Sequence, residues 1–132
     1  MLKQYGVIPY LTDEDGLKVV MITSANGYWI FPKGRYEAKL GKRGTAEQEA
    51  LEEAGVKGKI RGDNAYRAKV VIKSGERVNL TLYALKVKVI KPEWEEDDRR
   101  KREVVSLCEA EKRITSPELL ACLRKFARDF AE

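Results

Sequence analysis

Residues 34–56 read GRYEAKLGKRGTAEQEALEEAGV, and the reading of this stretch decides the fold. A glycine-bearing loop runs into a short acidic helix. Glu52 and Glu53 follow Glu49 by three and four residues, so all three carboxylates share one helix face. Like charges so spaced weaken an isolated helix by about 0.2–0.5 kcal/mol per pair. They also lie past the middle of the helix, where the macrodipole disfavours anions. That local cost calls for a cation among them. Magnesium is the plainest candidate, because hard cations take oxygen ligands. A solvated acidic face would carry the same charge pattern.

The surroundings sharpen the choice. WIFPKG precedes the stretch at Trp29–Gly34, and Gly55 closes the helix. Together these residues resemble the Nudix box, G-x5-E-x7-R-E-U-x-E-E-x-G-U, where U is a bulky aliphatic residue. Gly34 matches the first glycine; Glu49, Glu52, Glu53, Gly55 and Val56 match in register, and Ala50 takes a U position. Two positions depart from the pattern: Leu40 replaces the first glutamate and Gln48 the arginine. In the family those two brace the loop and helix, while the later glutamates hold metal. The resemblance implies an α/β fold, a Nudix-type α/β/α sandwich with a mixed β-sheet between helices. It spans most of the chain, since strands precede the box and a helix ends the sequence.

At 132 residues the chain is long enough for one domain with a real core, taken as residues 1–132. Its hydrophobic content of 43% and charged content of 36% are those of a soluble globular protein. No apolar run reaches the ~20 residues of a membrane helix, so no membrane partner is expected. MLKQYGVIPYL carries no basic-then-apolar leader, and no signal peptide is expected. Cys108 and Cys122 lack metal-like spacing and read as two reduced thiols in a cytoplasmic protein. The net charge of +5 suits an anionic substrate such as a polyphosphate, and would also suit nucleic acid. There is no histidine, which excludes histidine metal sites, Ser-His triads and a histidine base.

Along the chain, Lys3–Thr12 and Leu17–Thr23 read as a hairpin around Asp13–Gly16. Tyr28–Phe31 is a short aromatic strand, with Trp29 and Phe31 read as core and Tyr28 as a possible pocket residue. Pro32–Gly44 is expected as a basic loop able to cradle phosphate, through Lys33 and Arg35 among others. Thr45 is expected to open the helix, with Thr45–Gln48 as a capping box. A short strand at 56–60, a turn at 61–64 and a strand at 65–73 follow. Residues 76–90 are a long strand. The charged segment 91–101 reads either as a solvated loop or as a specificity loop, with Arg99, Arg100, Lys101 and Arg102 reaching phosphates. A strand at 103–107, a one-turn helix from Ser106 and a helix from Ser116-Pro117-Glu118 complete the chain.

What the resemblance implies chemically is a pyrophosphohydrolase dependent on Mg2+, or on Mn2+ in its place. Glu49, Glu52 and Glu53 would be the catalytic and metal-holding carboxylates, with a backbone carbonyl at Lys33 or Gly34 completing the coordination. Glu53 is the expected base, though any glutamate not tied to metal could serve. Lys33, Arg35, Arg100 and Arg102 are the expected substrate-binding cations. The substrate would be a phosphorylated small molecule, a nucleoside diphosphate linked to another group or a polyphosphate. The run WEEDDRRKREVVSL and the FPKG motif resemble the diphosphoinositol polyphosphate and diadenosine polyphosphate branch. No stable nucleic-acid partner is expected, and the protein is expected as a monomer or homodimer. The alternative is a non-catalytic Nudix-fold module that binds nucleotide or RNA, which Leu40 and Gln48 would favour.

Overall fold

The computed structural model describes residues 2–72 and 74–130. β1 (Leu2–Asp13) turns at Gly16, where φ is 108°, into β2 (Gly16–Thr23). Two short strands follow, β3 (Trp29–Ile30) and β4 (Lys33–Arg35). Helix α1 (Gly41–Ala54) leads into β5 (Val56–Val71) and β6 (Arg77–Ile90). The chain ends with β7 (Arg102–Ser106), α2 (Leu107–Arg113) and α3 (Pro117–Phe130).

The sheet runs β3-β2-β1-β6-β5, with β4 also on β1 and β7 also on β2. β1 and β6 pair parallel and the remaining pairs are antiparallel, so the sheet is mixed. β1 organises it. One edge lies along β6 from Leu2 to Tyr10, while the other serves β4 with residues 4–6 and β2 with residues 10–13.

Alternation along the strands divides the core in two. Tyr5, Val7, Val20, Ile22, Tyr83 and Leu85 face α1, which meets them with Ala46, Ala50 and Ala54. Three alanines four residues apart let the helix axis approach the sheet closely. Ile8, Tyr10, Val19, Met21, Leu80 and Leu82 face the other way, against Leu119, Cys122, Leu123 and Phe126 of α3. The result is the expected α/β/α sandwich.

Several local expectations are corrected. Helix α1 begins at Gly41, a turn earlier than Thr45, and there is no capping box. The Thr45 hydroxyl donates back to Gly41 O at 2.6 Å and accepts the Glu37 N–H at 3.1 Å. It therefore ties the loop to the helix from inside it. The supposed loop 32–44 includes β4, because Gly6 and Tyr5 of β1 offer Lys33 and Gly34 a strand partner. The turn expected at 61–64 is an irregularity within one strand, where the register with β6 shifts between Ile60 and Ala65. Lys73, expected at the end of that strand, lies outside the described residues. α2 runs one turn longer than expected, capped by Ser106 Oγ accepting the Glu109 N–H at 3.1 Å. Phe31 is core as expected, and Trp29, partly buried, packs against the same core and carries the Arg113 guanidinium 4.8 Å from its ring centre.

Candidate active site

The three glutamates lie on the second half of α1, and β4 brings the Lys33–Arg35 backbone to them. Glu53 is buried, at 7% exposure. One of its oxygens, Oε1, accepts the Lys33 N–H at 3.1 Å, and Oε2 faces Arg100 Nη2 at 3.3 Å. Arg100 is itself held from three sides. Its Nη1 donates to Thr23 O at the end of β2, and its Nε donates to Glu96 Oε1, each at 2.8 Å. The segment 91–101 thus folds over the end of α1. There the Glu96 N–H also donates to Glu52 O at 3.2 Å.

Glu49 sits one turn before Glu53, half-buried, with its carboxyl against Gly34. A Cβ at position 34 would overlap that carboxyl, so the box glycine is here the residue whose missing side chain makes room for Glu49. Burial pushes the Glu49 carboxyl up to about 8, helped by the charges of Glu53, Glu52 and Glu96 and by a hydrogen bond with the Glu53 carboxyl. Burial also raises Glu53, while the Arg100 guanidinium and the Lys33 N–H oppose the rise. Glu52 is turned to Gln48, whose Nε2 donates to its Oε1 at 3.1 Å.

Among the described residues, no three His, Cys, Asp or Glu side chains gather tightly enough to hold a metal ion by themselves. Arg100 holds one carboxylate of the triad and Gln48 another. The donor set nonetheless fits a hard divalent cation. It offers three carboxylates on one helix face, with Glu49 and Glu53 in contact and both pushed toward protonation by burial, beside a glycine whose missing side chain makes room for Glu49.

The four expected substrate-binding cations divide. Lys33, Arg35 and Arg100 line a cleft of about 820 Å3. Arg102 points elsewhere: its Nη1 donates to Ala54 O at 2.8 Å, and its guanidinium lies 3.9 Å from the centre of the Trp94 ring. It satisfies an end carbonyl of α1 and packs under Gly55, a structural task. Glu96 is a site neighbour that the sequence left unassigned. Its signal was present as an i, i+4 pair with Arg100 in a segment otherwise read as one block of charge.

No protein-family model matches the chain. The mitochondrial Nudix hydrolase 16 of Arabidopsis thaliana is 33% identical over 122 residues, covering 80% of this chain and 68% of that protein. The mitochondrial Nudix hydrolase 13 of the same plant is 33% identical over 129 residues, covering 90% of this chain. The chain spans 64% of that relative's length, a little under two thirds. Among solved structures, a binary complex of the Ap4A hydrolase of C. elegans superposes with a TM-score of 0.81 at 20% identity, covering 99% of this chain and 98% of that one. At that identity the likeness is one of fold.

Proposed function

Because the chain belongs to the Nudix hydrolase family, we propose that it hydrolyses a phosphoanhydride bond with the help of a divalent cation, magnesium or manganese. The observation that carries this reading is the Glu49 carboxyl packed against Gly34 beside the buried Glu53, where burial and the neighbouring carboxylates disfavour its ionised form. A buried and a half-buried carboxyl side by side repel when both are ionised, and a proton or a cation beside them relieves that repulsion.

Glu49, Glu52 and Glu53 would hold the cation, with a backbone carbonyl of Lys33 or Gly34. A divalent cation there supplies neutralisation of the phosphate oxygens and a lowered pKa for water. The chain's own residues do the rest. Glu53 is fixed by the Lys33 N–H and Arg100, so it can accept a proton from water at a set position. Lys33 and Arg35 hold the phosphate chain at the cleft, and Arg100 can leave Glu53 for phosphate once Glu53 has another positive partner. The substrate class is a nucleoside diphosphate linked to a second group, with dinucleoside polyphosphates favoured and diphosphoinositol phosphates the competing member. The FPKG motif and the Ap4A hydrolase fold neighbour support that ordering. Cytoplasmic placement and a monomer or homodimer remain part of the proposal.

A substrate screen with magnesium and manganese tests it, using dinucleoside polyphosphates, diphosphoinositol phosphates and sugar nucleotides. The expected result is metal-dependent release of two phosphorylated fragments, lost in Glu52→Gln and Glu53→Gln. Full turnover in both variants would remove those residues from the mechanism. A second reading, a nucleotide-binding module without turnover, is favoured by one observation: Arg100 and Gln48 already engage two of the three carboxylates. Tight nucleotide binding with no product from any member of the panel would select it.

A further inference from the structure

Gln4 lies in the first half of β1. Alternation places it with Ile8 and Tyr10, on the face that α3 covers, opposite to Tyr5 and Val7. Its exposure is 9%, and its Oε1 is fully shielded and meets no donor among the described residues. A buried acceptor without a partner is uncommon in a folded protein and requires an explanation. The sheet does not supply one: Gln4 pairs across it with Leu80 and with the exposed Arg35, and its Oε1 bonds to neither.

The surroundings do. Gln4 lines the same cleft of about 820 Å3 that Lys33 and Arg100 border beside Glu53. Arg35 and Glu76 also bring charge to its lining, and between the charged groups the wall is largely apolar, with Tyr28 and Trp29 contributed from β3 and its approach and Val70 and Ile72 from β5 and its end. The apolar part of this space suits a flat, neutral ring, which loses little hydration on entering it, better than a ring bearing charge on every carbon. Gln4 belongs to this lining; its Oε1 is shielded as placed, and a half-turn of the terminal amide would present it to a donor in the cleft.

We propose that the cleft holds the nucleobase of the substrate and that Gln4 is a specificity residue reading an amino group on that base. A carboxamide offers an acceptor and a donor side by side, the complement of an amino group next to a ring nitrogen, as in adenine. The proposal rests on the phosphate chain lying at the Glu53 end, as read above. It favours nucleotides over inositol phosphates as the substrate class.

Binding by isothermal titration calorimetry in EDTA tests this without turnover. The probes are ADP, the analogous diphosphate of purine riboside (which lacks the amino group), inorganic pyrophosphate and inositol hexakisphosphate. Wild type should bind ADP about tenfold tighter than the analogue, the worth of one buried hydrogen bond. In Gln4→Leu that preference should vanish while pyrophosphate affinity is kept. The melting temperature should hold or rise, because an apolar isostere replaces an unpaired amide. Gln4→Met serves as the second variant should Leu misfold. An unchanged ADP preference in the folded variant overturns the proposal. Equal loss of ADP and pyrophosphate does too, as does inositol phosphate binding tighter than ADP. Absence of turnover in the wild type would defeat the hydrolase reading alone, leaving Gln4-dependent ADP binding intact. Turnover with a Gln4-independent binding profile would defeat this proposal alone.

Discussion

Arg100 Nη2 lies 3.3 Å from Glu53 Oε2, with side-chain exposures of only 17% and 10%. A buried pair of this kind contributes little beyond an apolar pair, but removal of one partner strands the other. Arg100→Met should therefore destabilise the metal-free protein by about 3 kcal/mol. Added Mn2+ should restore much of that loss, because a cation at the glutamates replaces the missing charge. Urea melts of both proteins, with EDTA and with Mn2+, check it. An equal loss under both conditions would show that the cation does not share Glu53 with Arg100.

Two glycines of the box should fail in different ways. At Gly34 an added Cβ meets only the end of the flexible Glu49 side chain, so Gly34→Ala should fold with a near-native melting temperature. Glu49 would be displaced by an ångström or so, and kcat should fall by about 100-fold. Gly55 has φ 65°, and a Cβ there would stand 2.7 Å from Trp94 Cβ, beside Arg102. Gly55→Ala should cost stability directly, by about 2 kcal/mol, from left-handed backbone and steric overlap. Thermal melts paired with single-turnover rates separate the two cases.

The proton on Glu49 gives a pH signature. Its folded-state value of about 8 lies above the ordinary 4.5, so the folded chain keeps a proton that the unfolded chain releases between those values. Stability of the metal-free protein should be unaffected by this group below pH 4.5, fall as pH rises toward 8, and level off above. Glu49→Gln should flatten that slope. Melting temperatures from pH 5 to 9 in EDTA, wild type against variant, measure it. A wild-type profile that rises over this range and is matched by the variant would contradict the assigned environment.

Leu40 precedes α1 with no side-chain cap, and the first turn holds no acidic residue but does hold Lys42 and Arg43. Leu40 is 43% exposed, so an acid can replace it without disturbing the core. Leu40→Glu should stabilise the fold by about 0.5 kcal/mol through the helix dipole and the two cations. The gain should shrink at high salt. Denaturant melts at low and high ionic strength provide the measurement.

Much of the architecture was legible in local pattern. The hairpin at Asp13–Gly16, the strand at 76–90, the Ser116 start of α3 and the acidic face of α1 all follow from short-range spacing. The misread boundaries share one cause. β4 exists only because β1 passes beside it, and α1 starts early because Thr45 binds Glu37 as well as Gly41. Neither partner is visible within a local window. The cations show the same division: Arg100 and Arg102 are indistinguishable in a basic run, yet one meets Glu53 and the other Ala54 O and Trp94.

The sequence by itself determined which residues could do acid and metal chemistry, because residue type and helical period are properties of the chain alone. It also marked which strand and helix faces must be buried, through apolar alternation and helical spacing, while the layered sandwich itself was implied by the resemblance of residues 34–56 to the Nudix box. Only the tertiary structure decided which carboxyls touch, which guanidinium reaches them and that Gln4 is walled in without a partner. Those outcomes depend on side chains from distant segments meeting in a space of low dielectric, where burial and neighbouring charge, rather than residue type, set the proton and the partner.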